Sequence, residues 1–186
     1  MKKFVKWFLI LVLGGGFIAY TGVQILKLYT KQFSPEKEVS YTQNGFDLEV
    51  VYSAPFKKGR VIFGGLVPYG QVWRTGANEA TVFSCESDLL IKGDTLPAGS
   101  YTLWTIPDDE AWTVIFNQGD YLWGINADGS PQHDPERDVL RTEAEVVPQG
   151  ESIEQFRIYF EEKSDTVRLV LGWDHTLVKV PVQQVR

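Results

Sequence analysis

The 186 residues contain one cysteine, one methionine and two histidines. A single cysteine excludes an intramolecular disulfide, so the fold must be held by its core. Cys85 ends Ala80-Thr81-Val82-Phe83-Ser84-Cys85, which reads as a strand, and a buried inert thiol is its expected state. Zinc takes at least three protein ligands, and His133 and His175 are the only imidazoles available, so no metal is expected. No G-x-S-x-G, P-loop or dinucleotide fingerprint occurs, and no cofactor is expected. Acid is missing from residues 1–31, which hold five lysines: Lys2, Lys3, Lys6, Lys27 and Lys31. The remaining chain then carries 13 basic and 24 acidic side chains, a net of −11. Such a domain repels phosphate backbones, which excludes nucleic acid as a partner.

The first 31 residues have a long apolar run instead. Trp7–Tyr29 reads WFLILVLGGGFIAYTGVQILKLY, with Lys27 as its only charge. About 20 such residues cross a hydrocarbon core of about 30 Å. A helix buried on a soluble domain needs a polar face, and Leu9–Ile18 has none. Residues 1–30 are therefore expected to be an uncleaved transmembrane signal-anchor, since Ala19-Tyr20-Thr21 is a poor cleavage site. Lys2, Lys3 and Lys6 before the run place the short N-terminus in the cytoplasm and the domain in the periplasm or outside the cell. Residues 31–41 (KQFSPEKEVSY) read as a juxtamembrane linker.

From residue 42 to 186 the helical period disappears. Phe46, Leu48, Val50 and Tyr52 alternate in the period of a half-buried strand that stops at Pro55. Leu89–Ile91 enters a tight turn at Lys92-Gly93, and Pro97-Ala98-Gly99 turns into a strand from Ser100 to Ile106. Pro107–Glu110 reverses the chain into Trp112–Phe116. Later strands are expected at 139–147, 153–160, 166–172 and 177–182, with Trp173-Asp174-His175-Thr176 as a last hairpin turn. Trp104, Trp112, Trp123 and Trp173 fall on core positions. Short strands separated by turns, with no long amphipathic helix, indicate an all-β antiparallel sandwich or jelly-roll-like domain. Two segments escape the alternation: the glycine-rich 57–78 and the long polar loop 121–138. Long ordered loops on a β scaffold are where sites usually sit. The second has oxygen-rich side chains at a spacing unlike the calcium loop, and reads as a solvated acidic loop.

The densest chemistry lies in Trp73-Arg74-Thr75-Gly76-Ala77-Asn78-Glu79-Ala80-Thr81. An indole, a guanidinium, an amide and a carboxylate fall within seven residues. Arginine offers a planar fork of donors suited to carboxylate or phosphate. Arg74 and Glu79 could equally pair with each other to hold an irregular loop, and Arg60 after Gly59 could pin its own loop. The chain also carries Pro55, Gly59-Arg60, Phe63-Gly64, Leu66-Val67-Pro68, Pro97-Ala98-Gly99-x-Tyr101, Phe116-Asn117, Trp123-Gly124 and Asp138-x-Leu140-Arg141. With the WRTGANEAT run, this pattern resembles a bacterial family known only as domain of unknown function 2911, over roughly residues 40–182. The resemblance implies export and assigns no reaction.

The function expected is a membrane-tethered, extracytoplasmic binding or interaction module with its site near the Gly59–Glu79 loop. Its ligand would be a polar small molecule, glycan or peptide, held by Arg60, Trp73, Arg74, Asn78, Glu79, Asn117 and Arg141. The alternative is an extracytoplasmic hydrolase in which Glu79 serves as acid or base and Arg74 stabilises charge. That alternative requires Arg74, Glu79 and either Asn117 or Arg141 around one open pocket.

Overall fold

The computed structural model describes residues 2–163 and 166–185. Helix α1 (Lys2–Lys31) opens the chain, and no residue from Lys3 to Lys31 is buried. Its 29-residue stretch Lys3–Lys31 holds an 18-residue window with a mean hydropathy of 1.9 and is long and apolar enough to cross a membrane. That is compatible with a membrane anchor or a signal sequence.

Among the described residues nine antiparallel strands follow: β1 (Glu36–Tyr41), β2 (Leu48–Ser53), β3 (Val82–Cys85), β4 (Leu89–Ile91), β5 (Asp94–Leu96), β6 (Gly99–Ile106), β7 (Ala111–Asn117), β8 (Asp138–Lys163) and β9 (Thr166–Gln184). They lie in the order β1-β2-β3-β6-β7-β8-β9-β4-β5. Residues 36–41, read from the sequence as linker, form an edge strand paired with β2 from Glu36↔Ser53 to Tyr41↔Leu48. Charged residues hide its period. Only Lys37, Val39 and Tyr41 turn partly inward, a pattern that suits a sheet edge.

The expected turn at 173–176 is absent, because β9 runs unbroken through it. Trp173 is buried in the core, and Asp174, at φ +52°, kinks the strand where its partner β8 skips register between Pro148 and Arg157. Asp174 is held there by Lys57 Nζ at 2.5 Å and by the Ser152 hydroxyl at 2.8 Å. The turn at Lys92-Gly93 is present, with both residues at positive φ between paired Ile91 and Asp94.

The long strand β8 builds the second layer. Its first part pairs with β7, and the remainder pairs with β9. The remainder also returns to the far end of the sheet, where Phe156 N–H donates to Pro55 O and Lys57 N–H donates to Glu154 O. The Tyr52 hydroxyl accepts from Ile158 N–H at 2.9 Å. This closure buries Phe83, Tyr101, Leu103, Trp112, Phe116, Phe156 and Trp173 in one core. Truncating any of the larger rings would cost about 3–5 kcal/mol. At one end of the core, Phe63, Trp73, Trp112, Phe156 and Trp173 meet mainly edge to face, and this aromatic wall backs the candidate site.

Candidate functional site

The WRTGANEAT run divides into three jobs. Its scaffold part is Thr75, Gly76, Ala77 and Thr81. Thr75 is buried at φ +55°, with its hydroxyl 3.1 Å from that of Thr105 and its carbonyl accepting from the Thr81 hydroxyl at 2.8 Å. A Cβ on Gly76 would stand 3.0 Å from both Ser53 O and Thr81 Oγ1, so any larger residue would push the loop a few tenths of an ångström away from β2.

Asn78 and Glu79 hold the segment that leaves α1. The Asn78 amide donates to Ser34 O at 3.1 Å. The Glu79 carboxylate faces Lys27 Nζ at 3.6 Å and Lys31 Nζ at 4.0 Å, and accepts from the Ser53 hydroxyl at 3.5 Å. Glu79 is therefore paired with the end of the helix and not with Arg74.

Trp73 and Arg74 face open space. Trp73 is fixed to β6 by reciprocal backbone hydrogen bonds with Thr105, at 2.7 and 2.9 Å, and its indole N–H donates to Gly76 O at 3.0 Å. Both residues line a cavity of about 510 Å³ that Phe33, Phe56, Leu66 and Trp173 wall with apolar surface. On the other side Trp73 and Arg74 line a smaller cavity, about 270 Å³, with Val72, Ile125 and Pro131. Gly124, at φ +71°, gives Arg74 its seat: a Cβ there would lie 3.1 Å from Arg74 Cδ and 3.2 Å from its Cβ.

The electrostatics of Arg74 are unusual for this protein. Its Nε is buried without a hydrogen-bond partner, and among the described residues no carboxylate lies within 4.0 Å of its guanidinium. Burial alone pushes its pKa down from the ordinary arginine value. Arginine stays protonated even so, and an uncompensated cation in such a place is costly. Lys58 and Arg60 also line the larger cavity. Arg60 is exposed and donates to the carbonyls of Phe56 and Lys57, which is the loop-pinning role. The three cations come from a stretch, residues 50–78, that contains no aspartate or glutamate in an otherwise acidic domain. That gap is the sequence signal that could have found Lys58. Nothing in the sequence points to Phe33, Phe56 or Trp173 as cavity wall, since only the closure of β8 and the path of the chain after α1 bring them there.

Asn117 and Arg141 belong elsewhere. The buried Asn117 amide donates to Asp134 O and to Asp138 Oδ1, and its carbonyl accepts from Gly119 N–H and the Tyr121 hydroxyl. Arg141 pairs with Asp138 Oδ2 at 2.6 Å, and His133 Nε2 lies 2.7 Å from Asp138 Oδ1. Burial pushes the Asp138 carboxyl up, but hydrogen bonds from Asn117, His133 and Arg141 outweigh it and leave the pKa below the usual range. This network organises the base of the 121–138 loop, where Tyr121 and His133 pack on Trp104, while residues 126–131 and 135–137 are exposed to solvent as expected. Among the described residues no group of three His, Cys, Asp or Glu is placed to hold a metal. The candidate residues thus fall into two clusters, and the convergence that a Glu79 hydrolase requires is not formed.

The model of the family described as protein of unknown function (DUF2911) matches residues 34–182, and the chain belongs to that family. No curated protein and no solved structure matches the chain.

Proposed function

We propose that this member of the family is a membrane-tethered binding module whose ligand is a small amphipathic anion held in the 510 Å³ cavity. In this reading α1 stays on the mature protein as an anchor. Lys2, Lys3 and Lys6 remain in the cytoplasm, and the domain faces the periplasm or the exterior. The single observation that carries the ligand class is Arg74, a half-buried cation that lines the cavity with its Nε buried and unpartnered and no carboxylate against its guanidinium. A ligand carboxylate or phosphate would supply the missing charge and accept the free N–H groups in a paired geometry. The wall of Trp73, Trp173, Phe56 and Leu66 would cover an apolar portion, and the volume is that of an ordinary small-molecule site. Glu79 acts in this scheme as the clamp on α1.

Thermal melts of the full chain in bilayer discs of zwitterionic lipid, with hexyl phosphate, hexyl glucoside and hexyl trimethylammonium as probes, test the reading. The phosphate should raise the melting temperature while the other two, of the same chain length, leave it unchanged. A charge-assisted hydrogen bond contributes about 1.5–3 kcal/mol, so Arg74→Met should weaken hexyl phosphate by roughly ten- to a hundredfold. Equal shifts with the neutral and anionic probes would refute the anion assignment.

A further inference from the structure

The larger cavity lies beside the end of α1. Trp7–Leu26 is 20 residues, which at about 1.5 Å each fills a hydrocarbon core of about 30 Å. Lys27 and Lys31 then stand in the headgroup layer. Phe33, two residues past the helix end, can be no more than about 7 Å beyond Lys31, and it lines the cavity. Ser34 lines it too, buried and tied through its carbonyl to Asn78. The cavity wall is therefore continuous with the chain that leaves the bilayer, and Glu79 holds the two together through Lys27 and Lys31.

The rim on this side is apolar and exposed. Phe33 is 48% exposed, Leu66 46% and Val61 72%, and Leu66 N–H donates to Val61 O, so the two side chains stand on one small turn. Lys58 Nζ lies 5.3 Å over the Phe33 ring, at the same rim. The domain is acidic overall, yet the charges here are divided in a definite way. Neighbouring acids are taken up by Lys27, Lys31 and Lys57, and the Glu154 carboxylate accepts from the backbone N–H of Lys58 at 2.9 Å, whereas no carboxylate lies within 4.0 Å of Lys58 Nζ or of the Arg74 guanidinium among the described residues. Exposed apolar side chains around a cationic cavity are an arrangement for an amphiphile that enters from a lipid surface.

We infer that the cavity's occupant is an anionic lipid drawn from the membrane that α1 enters, its headgroup at Lys58 and Arg74 and the start of its acyl chain against Trp73 and Trp173. This rests on the amphipathic-anion reading and narrows its source. A free anion arriving from solution would have no use for the exposed apolar rim or for the fixed distance to the bilayer.

The test uses the full chain in bilayers of zwitterionic lipid, with Trp7→Phe removing the indole that lies within the membrane. Brominated phosphatidylglycerol as the minority lipid should quench indole emission more strongly than brominated phosphatidylcholine at the same fraction. Lys58→Gln, which changes only an exposed side chain, should lower that preference about fivefold, and Arg74→Met should abolish it. A preference that survives both changes would be general surface attraction and would overturn the inference. Equal quenching by the two lipids, while hexyl phosphate still binds the wild type and not Arg74→Met, would overturn the lipid assignment and leave the anion cavity intact. Equal quenching with no hexyl phosphate binding would overturn both.

Discussion

Replacing Arg74 with methionine separates a structural arginine from one kept for a ligand. Were Arg74 paired with Glu79 in the interior, the change would leave a buried carboxylate alone and cost about 3–5 kcal/mol. In the structure Glu79 faces Lys27 and Lys31, and Arg74 Nε has no partner. Methionine keeps most of the apolar stem that packs over Gly124 and removes the charge that burial penalises. Side-chain truncation forfeits some packing, about 1 kcal/mol, against a desolvation cost of several kcal/mol for a fully buried ion, reduced here because the side chain is only half-buried. The balance favours the variant by about 1–2 kcal/mol. For a chain of this size that is a rise in melting temperature of roughly 2–8 °C. Arg74→Met and Glu79→Gln should also add, since they share no partner. Differential scanning calorimetry of wild type, both single variants and the double variant reads all of this. A drop of several degrees in Arg74→Met, restored by Glu79→Gln, would show that the two form a pair and would remove the ligand argument.

Other consequences follow from the same geometry. Asp138 is held below the usual carboxylate range in the folded state, so its contribution is complete above the unfolded value of about 3.9 and is lost as pH falls through the folded one. Asp138→Asn should therefore flatten the acid limb of a stability–pH profile, and an unchanged limb would contradict the network. Gly124→Ala sets a Cβ 3.1 Å from Arg74 Cδ on a backbone at φ +71°, and should cost about 1–3 kcal/mol in urea melts while weakening hexyl phosphate. The chain without residues 1–31 should give a circular dichroism spectrum of strand with almost no helix, because α1 is the only α-helix among the described residues. A helix content near a third would refute the fold.

Much of the sheet is legible from local pattern. The alternation from Phe46 to Tyr52, the Lys92-Gly93 turn and the strand after Gly99 need no distant information, since each side chain's face is set by the period of its own strand. Strands β8 and β9 were harder to read because each changes partner or kinks midway. Pro148 and Gly150 look like a break, and Asp174 at positive φ looks like a turn, yet pairing across the layers carries the strands through. The candidate loop was located from its residue types, and Trp73 and Arg74 do line a cavity. Which charges meet was not legible. Glu79 finds the lysines of α1, and Asn117 and Arg141 find Asp138, because the closure of the sheet decides those distances.

The most direct test of the central claim is a crystal structure of the domain with hexyl phosphate bound. The account predicts a phosphate oxygen within about 3 Å of an Arg74 guanidinium nitrogen, with the hexyl chain against Trp73 and Trp173. A phosphate found only on exposed surface lysines, with the cavity beside Arg74 filled by water alone, would contradict it.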